Sequence, residues 1–248
     1  MKTLGIIPSR WESKRFPGKS LTPIFGKPLV LWVVEACLRA ETLDEVIVAT
    51  DDKRIAQALK GSGSRVVMTD PDHPSGTDRV AAAAGASDDD IIVNIQGDEP
   101  LIDPVLIDAV AEKLKSDGRW QMSTACAPIQ SRDELLSSTV VKIVLDAEDG
   151  ALYFSRLPIP FRRDGDEDVS SGLYQRHIGI YGYRGDFLKR FVSECPCALE
   201  VTESLEQLRA LWLGGRIGVV RTNEIGLGVD RPEDVAVVER IIRERGLM

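Results

Sequence analysis

Residues 4–19 read LGIIPSRWESKRFPGK, and this stretch decides the fold. Leu4-Gly5-Ile6-Ile7 is a continuous apolar run, the pattern of a strand buried on both faces of a parallel sheet. Pro8 ends the run. The polar loop that follows carries Arg10, Lys14, Arg15 and Lys19 around Gly18. In an open α/β sheet, ligands bind beyond the carboxyl ends of the strands, which is where this loop must lie. Gly18 lets the backbone adopt positive φ or approach a ligand closely, and amides in such a turn hold phosphate oxygens. Arg10, Arg15 and Lys19 are the charges that neutralise a triphosphate and its diphosphate leaving group. The spacing is neither GxxxxGK[ST] nor GxGxxG, which argues against a P-loop ATPase and a dinucleotide-binding fold.

Outward from this loop, helical and extended patterns alternate. Pro28 to Arg39 reads as a helix with Leu29, Val33 and Ala36 on one face. Glu45 to Thr50 reads as a strand. A helix follows from Asp52 to Leu59, with Asp51 or Asp52 as its cap. Val66 to Met68 is a short strand, Arg79 to Gly85 a helix start, Ile91 to Gln96 a strong strand and Asp103 to Lys115 a helix. That order predicts a mostly parallel sheet covered on both faces. Beyond it, Met122 to Ala127, Val140 to Leu145, Leu152 to Phe154, Gln175 to Tyr183 and Ile217 to Arg221 read as strands. Phe187 to Val192 and Ser204 to Leu213 read as helices, the second with an apolar stripe of Leu205, Leu208 and Trp212. The charged stretch from Arg162 to Ser171 is expected to be an exposed arm or an edge used in dimerisation. A last helix begins near Asp230, with Pro232 in its first turn.

Acidic groups complete the pattern. The strand ending at Ile95 runs into Gln96-Gly97-Asp98-Glu99. Carboxylates at the end of a central strand suit Mg²⁺, which takes oxygen ligands and keeps phosphate and water partners. Asp98 is the better ligand, and Glu99 either supports it or points away. Asp230 suits a helix cap and equally a second metal ligand. Ser75-Gly76-Thr77 forms a polar loop entering a helix, able to grip a base or ribose or simply to cap. In the strand from Gln175, alternation puts His177, Gly179 and Tyr181 on one face and Ile178 and Ile180 on the other. His177 and Tyr181 could there read a substrate hydroxyl or carboxylate. Glu206 and Gln207 lie beside the helical stripe and by pattern alone face water.

Composition limits the alternatives. The 248 residues are 43% hydrophobic and 28% charged, which suits a soluble globular chain. Lys and Arg number 31 against 39 Asp and Glu, a formal charge of −8, and only 6% of residues are aromatic. Neither favours nucleic acid. Two histidines in the chain argue against a multi-histidine metal site. Cys195-Pro196-Cys197 has the wrong spacing and no partner pair for zinc. The N-terminal apolar run is too short for a signal peptide, and no segment is apolar for long enough to span a bilayer. A cytoplasmic protein with no membrane or nucleic-acid partner is expected.

Taken together, the segments resemble the 3-deoxy-D-manno-octulosonate (Kdo) cytidylyltransferases, or CMP-Kdo synthetases, within the wider group of CMP-acidic-sugar synthetases and nucleotide-sugar transferases. The resemblance runs from Leu4 to about Val238 through IIPSRWESKRFPGKSL, VATDD, HPSGTDRV, VNIQGDEPLI, ALYFSRLPIP, RHIGIYGYR, ESLEQLRALW and GVDRPEDV. The first and the QGDEP stretch are shared among enzymes that load CMP onto acidic sugars. RHIGIYGYR with LEQLR is specific to the octulosonate branch. Ser9, where alanine is more usual, the Trp11-Glu12 pair and a slightly shorter loop before Asp230 depart from the pattern. The resemblance implies a Rossmann-like α/β fold, with a mostly parallel but mixed central sheet flanked by helices, of the nucleotide-diphospho-sugar transferase type. It implies one domain over residues 1–248 and a dimerisation and sugar-binding embellishment over residues 155–180. The implied activity is Mg²⁺-dependent transfer of CMP from CTP to Kdo in the cytoplasm by a homodimer that feeds lipopolysaccharide synthesis. Arg10, Arg15 and Lys19 would bind the triphosphate; Pro8, Ser9, Ser75, Gly76 and Thr77 the cytidine; Asp98 and Asp230 the magnesium. Gln96, His177, Tyr181, Glu206 and Gln207 would hold the sugar, with Arg156 for its acid group. Alternatives are 8-amino-Kdo or another acidic sugar as acceptor, or a CTP-binding regulator without catalysis.

Overall fold

The N-terminal apolar run is a strand in the middle of a nine-stranded sheet. The computed structural model describes residues 1–12, 16–164, 168–224 and 226–247. Its strands are β1 (Thr3–Ser9), β2 (Pro23–Ile24), β3 (Lys27–Pro28), β4 (Glu45–Thr50), β5 (Arg65–Met68), β6 (Ile91–Asn94), β7 (Met122–Pro128), β8 (Lys142–Leu145), β9 (Ala151–Ser155), β10 (Gln175–Arg184) and β11 (Ile217–Arg221). The helices are α1 (Leu29–Leu38), α2 (Lys53–Ala58), α3 (Gly76–Ala84), α4 (Pro104–Ser116), α5 (Arg132–Leu136), α6 (Gly185–Ser193), α7 (Ala198–Glu203), α8 (Gln207–Trp212) and α9 (Pro232–Glu244). β2 and β3 pair as a small ribbon; the main sheet runs β11-β7-β10-β6-β1-β4-β5, with the β8–β9 hairpin attached to β10.

β1, β4, β5 and β6 are parallel neighbours, as the alternating pattern predicts. β10 is antiparallel to both β6 and β7, and this makes the sheet mixed. From β1 the chain moves outward to β4 and β5, then crosses back to place β6 on the other side of β1. This reversal opens a crevice at the carboxyl ends of β1 and β6, the place where such sheets bind ligands. Successive residues of each strand feed two separate cores. Ile7, Val93 and Ile95 pack with α1, α2, α4 and α9. Leu4, Ile6 and Ile92 pack with α3, α6 and α8.

Several helix starts follow the capping chemistry of the sequence. Asp52, rather than Asp51, caps α2 by accepting from Arg54 N at 2.7 Å. Ser75 caps α3, accepting from Thr77 N and Asp78 N at 3.1 Å each. Asp103 caps α4 ahead of Pro104. Asp51 is left to pair with Arg79. That guanidinium, fully buried on α3, donates to Asp51 Oδ2 at 2.8 Å and to Thr69 Oγ1. It thereby pins the start of α3 to the ends of β4 and β5.

Two expectations need correction. The single helix expected from Ser204 to Leu213 is broken: α7 ends at Ser204, whose φ of 53° lies in the left-handed region, and α8 begins afresh at Gln207. Leu205 and Leu208 are buried as the stripe predicts, but Trp212, at the end of the short α8, is 62% exposed. Asp230 does not cap the last helix. Asp234 instead accepts from Asp230 N at 2.9 Å and Arg231 N at 2.8 Å, and α9 starts at Pro232.

Removing one partner of a buried ion pair strands the other charge and costs about 3–5 kcal/mol. Arg79→Leu is expected to lower stability by an amount in that range in urea unfolding. A loss below about 1 kcal/mol, the worth of an ordinary surface pair, would contradict the pinning role.

Candidate functional site

The loop after β1 is shaped by packing against itself. Gly18 has φ 74° and donates its N–H to Trp11 O at 2.9 Å. A Cβ on Gly18 would meet the Trp11 ring at 2.9 Å, so both conformation and space require glycine here. The Arg54 guanidinium stacks on the other side of Trp11, 3.3 Å from the ring centroid. Ser9 Oγ donates to Ser20 Oγ at 2.8 Å and closes the loop at its base. Trp11, a departure from the family pattern, is thus a brace between the loop and α2. Arg10 is exposed at the loop's start. Arg15 lies outside the described residues.

This packing delivers Lys19, half-buried, to the acidic strand end. Its Nζ donates to Asp98 Oδ2 and lies 3.6 Å from Asp230 Oδ1 and 3.4 Å from Val229 O. The turn after β6 can reach β1 because residue 97 is glycine: a Cβ there would stand 2.7 Å from Pro8 O. Val229 N donates to Asp98 O at 2.8 Å and fastens the segment before α9 to the same corner. The carboxylate of Asp230 therefore joins Asp98 around Lys19 although the two are far apart in sequence. Glu99, beside Asp98, is half-buried. Its pKa is pushed up to about 7 by burial and by the Asp98 charge, with Arg176 opposing. Gly76 abuts Pro8: a Cβ on Gly76 would stand 3.7 Å from the Pro8 ring. Pro8 and Gly76 thus meet next to the charged corner, with Ser9 and Ser75 as their chain neighbours.

A cavity of about 390 Å³ opens beside that corner, lined by Gln96, Arg176, His177, Gly179, Tyr181, Glu206 and Gln207 and by the 139–141 and 204–205 backbone segments. Alternation along β10 places His177, Gly179 and Tyr181 on this face and buries Ile178 and Ile180 on the other. The break at Ser204 turns Glu206 and Gln207 inward instead of toward water. Glu206 Oε1 and Gln207 Nε2 are buried there without a hydrogen-bond partner. Glu206 Oε1 lies 3.7 Å from Arg209 Nη2, and buried polar atoms without a hydrogen bond are costly, which singles out this wall. Glu206 Oε2 accepts from Thr77 Oγ1, so Thr77 joins the loop at the start of α3 to this cavity. Burial raises the Glu206 carboxyl, and Tyr181 is likewise pushed up by burial and by the charges of Glu206 and Glu99. His177 is pushed down to about 3 by burial and by Arg176.

Arg156 is used differently from the expectation. Its guanidinium donates to Glu203 O at 2.7 Å, Ser138 O at 2.9 Å and Ser204 O at 3.2 Å. It holds the rim segments together and does not line the cavity. The cation that does is Arg176, which pairs with Glu134 Oε1 at 2.7 Å. Strict alternation assigns Arg176 to the apolar face, which is why the pattern did not single it out. Arg79 and Thr124 were missed for another reason: nothing local distinguishes them, and their roles appear only when distant strands meet. Cys197 is buried at the start of α7, while Cys195 is exposed.

A cytidylyltransferase family model matches residues 4–217. The chain is 46% identical to a 3-deoxy-manno-octulosonate cytidylyltransferase of Bdellovibrio bacteriovorus over 249 aligned positions, covering 100% of both chains. It is 50% identical to the enzyme of that name from Geobacter sulfurreducens over 245 positions, covering 96% of this chain and 98% of the other. Among solved structures, it is similar to a CMP:2-keto-3-deoxy-manno-octonic acid synthetase complexed with CTP. That match has a TM-score of 0.92 and 37% identity, covering 99% of this chain and 100% of that one. A 4-diphosphocytidyl-2C-methyl-D-erythritol synthase, with a TM-score of 0.65 and 15% identity, shares the fold.

The raised Glu99 carboxyl carries a pH signature. Its pKa in the folded chain exceeds the ordinary value of 4.5, so its protonated form favours the fold. That contribution is complete below 4.5 and is lost as pH rises through about 7. Relative to Glu99→Gln, the wild type is expected to lose stability between about pH 5 and pH 8, read by urea unfolding without nucleotide or divalent cations. A difference that stays flat across this window would contradict the assignment.

Proposed function

The chain belongs to the cytidylyltransferase family, and from that premise we propose that it transfers CMP from CTP to the anomeric hydroxyl of 3-deoxy-D-manno-octulosonate, giving CMP-Kdo and diphosphate. The observation that carries this reading is the Lys19 ammonium held between Asp98 and Asp230, next to a cavity whose wall holds polar atoms without hydrogen-bond partners. One corner offers opposite charges for a metal-bound triphosphate, and the adjoining cavity offers hydrogen bonds for a polyhydroxy acid.

In the reaction, the sugar's anomeric oxygen bonds to the α-phosphorus of CTP as the bond from that phosphorus to the bridging oxygen of the β-phosphate breaks. The hydroxyl proton is released and diphosphate leaves. Pro8, Ser9, Ser75 and Gly76 hold the cytidine along one wall, with Thr77 linking that wall to the sugar. Lys19 and Arg10 hold charge on the phosphates and on the departing diphosphate; Arg15 is assigned the same task from the sequence alone. Gln96, His177, Tyr181, Glu206 and Gln207 orient the sugar, and Arg176 supplies the positive charge that suits its carboxylate. Holding both reactants side by side lowers the entropic part of the barrier.

Asp98 and Asp230 fit Mg²⁺. They already share a cation, and Mg²⁺ is held by one or two protein carboxylates with phosphates and water supplying the rest. Bound there, Mg²⁺ would polarise phosphate oxygens and favour the ionised sugar hydroxyl.

The proposed working form is a homodimer in the cytoplasm. Leu157 (69% exposed), Phe161 (86%) and Leu173 (53%) leave large apolar groups on the surface of the 155–180 segment. Such a concentration fits the matching face of a second copy. No helix among the described residues is long and apolar enough to cross a membrane.

Diphosphate release should require CTP over UTP, ATP and GTP, and Kdo over sialic acid, with 8-amino-Kdo as the informative competitor. Asp98→Asn at saturating Mg²⁺ is expected to lower turnover by about 10²-fold or more. Turnover near wild type would remove Asp98 from the centre of the site. Phe161→Glu is expected to shift the sedimenting species from dimer toward monomer, and an unchanged mass would place the interface elsewhere.

A further inference from the structure

The hydroxyl of Thr124 settles a question that the sequence leaves open: whether His177 meets a hydroxyl or a carboxylate of the sugar. Thr124 is buried in the middle of β7, opposite the place where the β7–β10 register shifts between Ile178 and Gly182. Gly179 and Tyr181 lie within this bulge and face the cavity. Thr124 Oγ1 lies 2.8 Å from Ile180 O, 3.2 Å from Ile178 O and 2.9 Å from His177 Nε2.

A hydroxyl has one proton. Two of its three neighbours are carbonyl oxygens, which can only accept. If the proton went to His177 Nε2, the Thr124 oxygen would face Ile180 O at 2.8 Å with no hydrogen between them, lone pair against lone pair. The proton therefore goes to a backbone carbonyl, and Oγ1 accepts from His177. The ring is neutral in this setting, because burial and the Arg176 charge oppose its protonation. Nε2 then carries the ring's hydrogen and Nδ1 carries a lone pair. His177 lines the cavity, and Nδ1 has no hydrogen-bond partner among the described residues.

We infer that Thr124 is a positioning residue that fixes His177 as the Nε2–H tautomer, so that Nδ1 accepts a hydrogen bond from a sugar hydroxyl and disfavours a carboxylate there. This rests on the proposed sugar site and deepens it. The acid group must bind away from His177, toward the cationic side of the cavity, and the hydroxyl pattern is read at the bulge of β10. A sugar lacking the hydroxyl that meets Nδ1 leaves that nitrogen unpaired.

The test begins with the ligand-free protein, where the outcome does not depend on which sugar is accepted. The chain has two histidines, so long-range ¹H–¹⁵N spectra resolve both rings, and His73→Gln assigns them. His177 is expected to show a protonated Nε2 and a bare Nδ1; the opposite tautomer, or an even mixture, would overturn the inference. Thr124→Ser keeps the hydroxyl and should keep both the tautomer and the KM for the sugar. Thr124→Val should release the tautomer preference and raise the sugar's KM by about tenfold, with the KM for CTP unchanged. A valine variant that folds and keeps both the spectrum and the KM would also overturn it. Should that variant not fold, the wild-type and serine spectra decide. Loss of diphosphate release from Kdo with the tautomer intact would count against the sugar assignment and not against Thr124.

Discussion

One ammonium group stands between two carboxylates that the chain brings from distant places. Lys19 arrives on the loop after β1, Asp98 on the turn after β6 and Asp230 on the segment before α9. Without a cation, two half-buried carboxylates in one corner repel each other, and the effective dielectric near a protein surface leaves that repulsion strong. Lys19 offsets it and ties the loop to the strand ends. The surrounding details serve the same end. Gly18 and Trp11 shape the loop, Gly97 lets the β6 turn approach Pro8, and Asp234 holds the start of α9 while the Asp230 carboxylate turns toward Lys19. An arrangement in which one cation is exchanged for another has little to rebuild when a metal-bound phosphate arrives.

The cavity proposed for the sugar is built from the same corner outward. Gln96 precedes Gly97 and Asp98 and lines the cavity itself. Thr77 reaches from the wall proposed for the nucleotide to Glu206. Lys142 is buried and gives its three hydrogens to Ser137 O, Val140 O and Arg156 O. Arg156 then holds Ser138, Glu203 and Ser204. Two cations thus stiffen the rim through carbonyl oxygens alone, which keeps their charge out of the cavity floor and leaves Arg176 as the cation on its wall. Rigid support of this kind holds Glu206 Oε1 and Gln207 Nε2 in place without hydrogen-bond partners.

What the sequence reveals follows the range of the forces involved. The apolar run at Leu4–Ile7, the cap at Ser75 and the alternation around His177 are local patterns, and each appears in the fold where its chemistry puts it. The break at Ser204 is not local. A serine in the left-handed region has no reason to be there except that the chain must bring Leu205 and Leu208 into one core and Glu206 into the cavity. The parting of Asp230 from the helix cap depends on Asp234 and Lys19 together. Arg156 reads as a substrate cation because its neighbours in sequence give no hint of the three carbonyls that claim it. Thr124 is invisible for the same reason: its meaning lies in a bulge on a strand some fifty positions away.

The exchange of cations at Asp98 and Asp230 is tested most directly by a crystal structure with CTP and Mg²⁺ bound. The metal is expected between those two carboxylates and the phosphates, with Lys19 Nζ moved from Asp98 onto a phosphate oxygen. A triphosphate bound elsewhere, with Lys19 still on Asp98 and no metal beside it, would contradict the account.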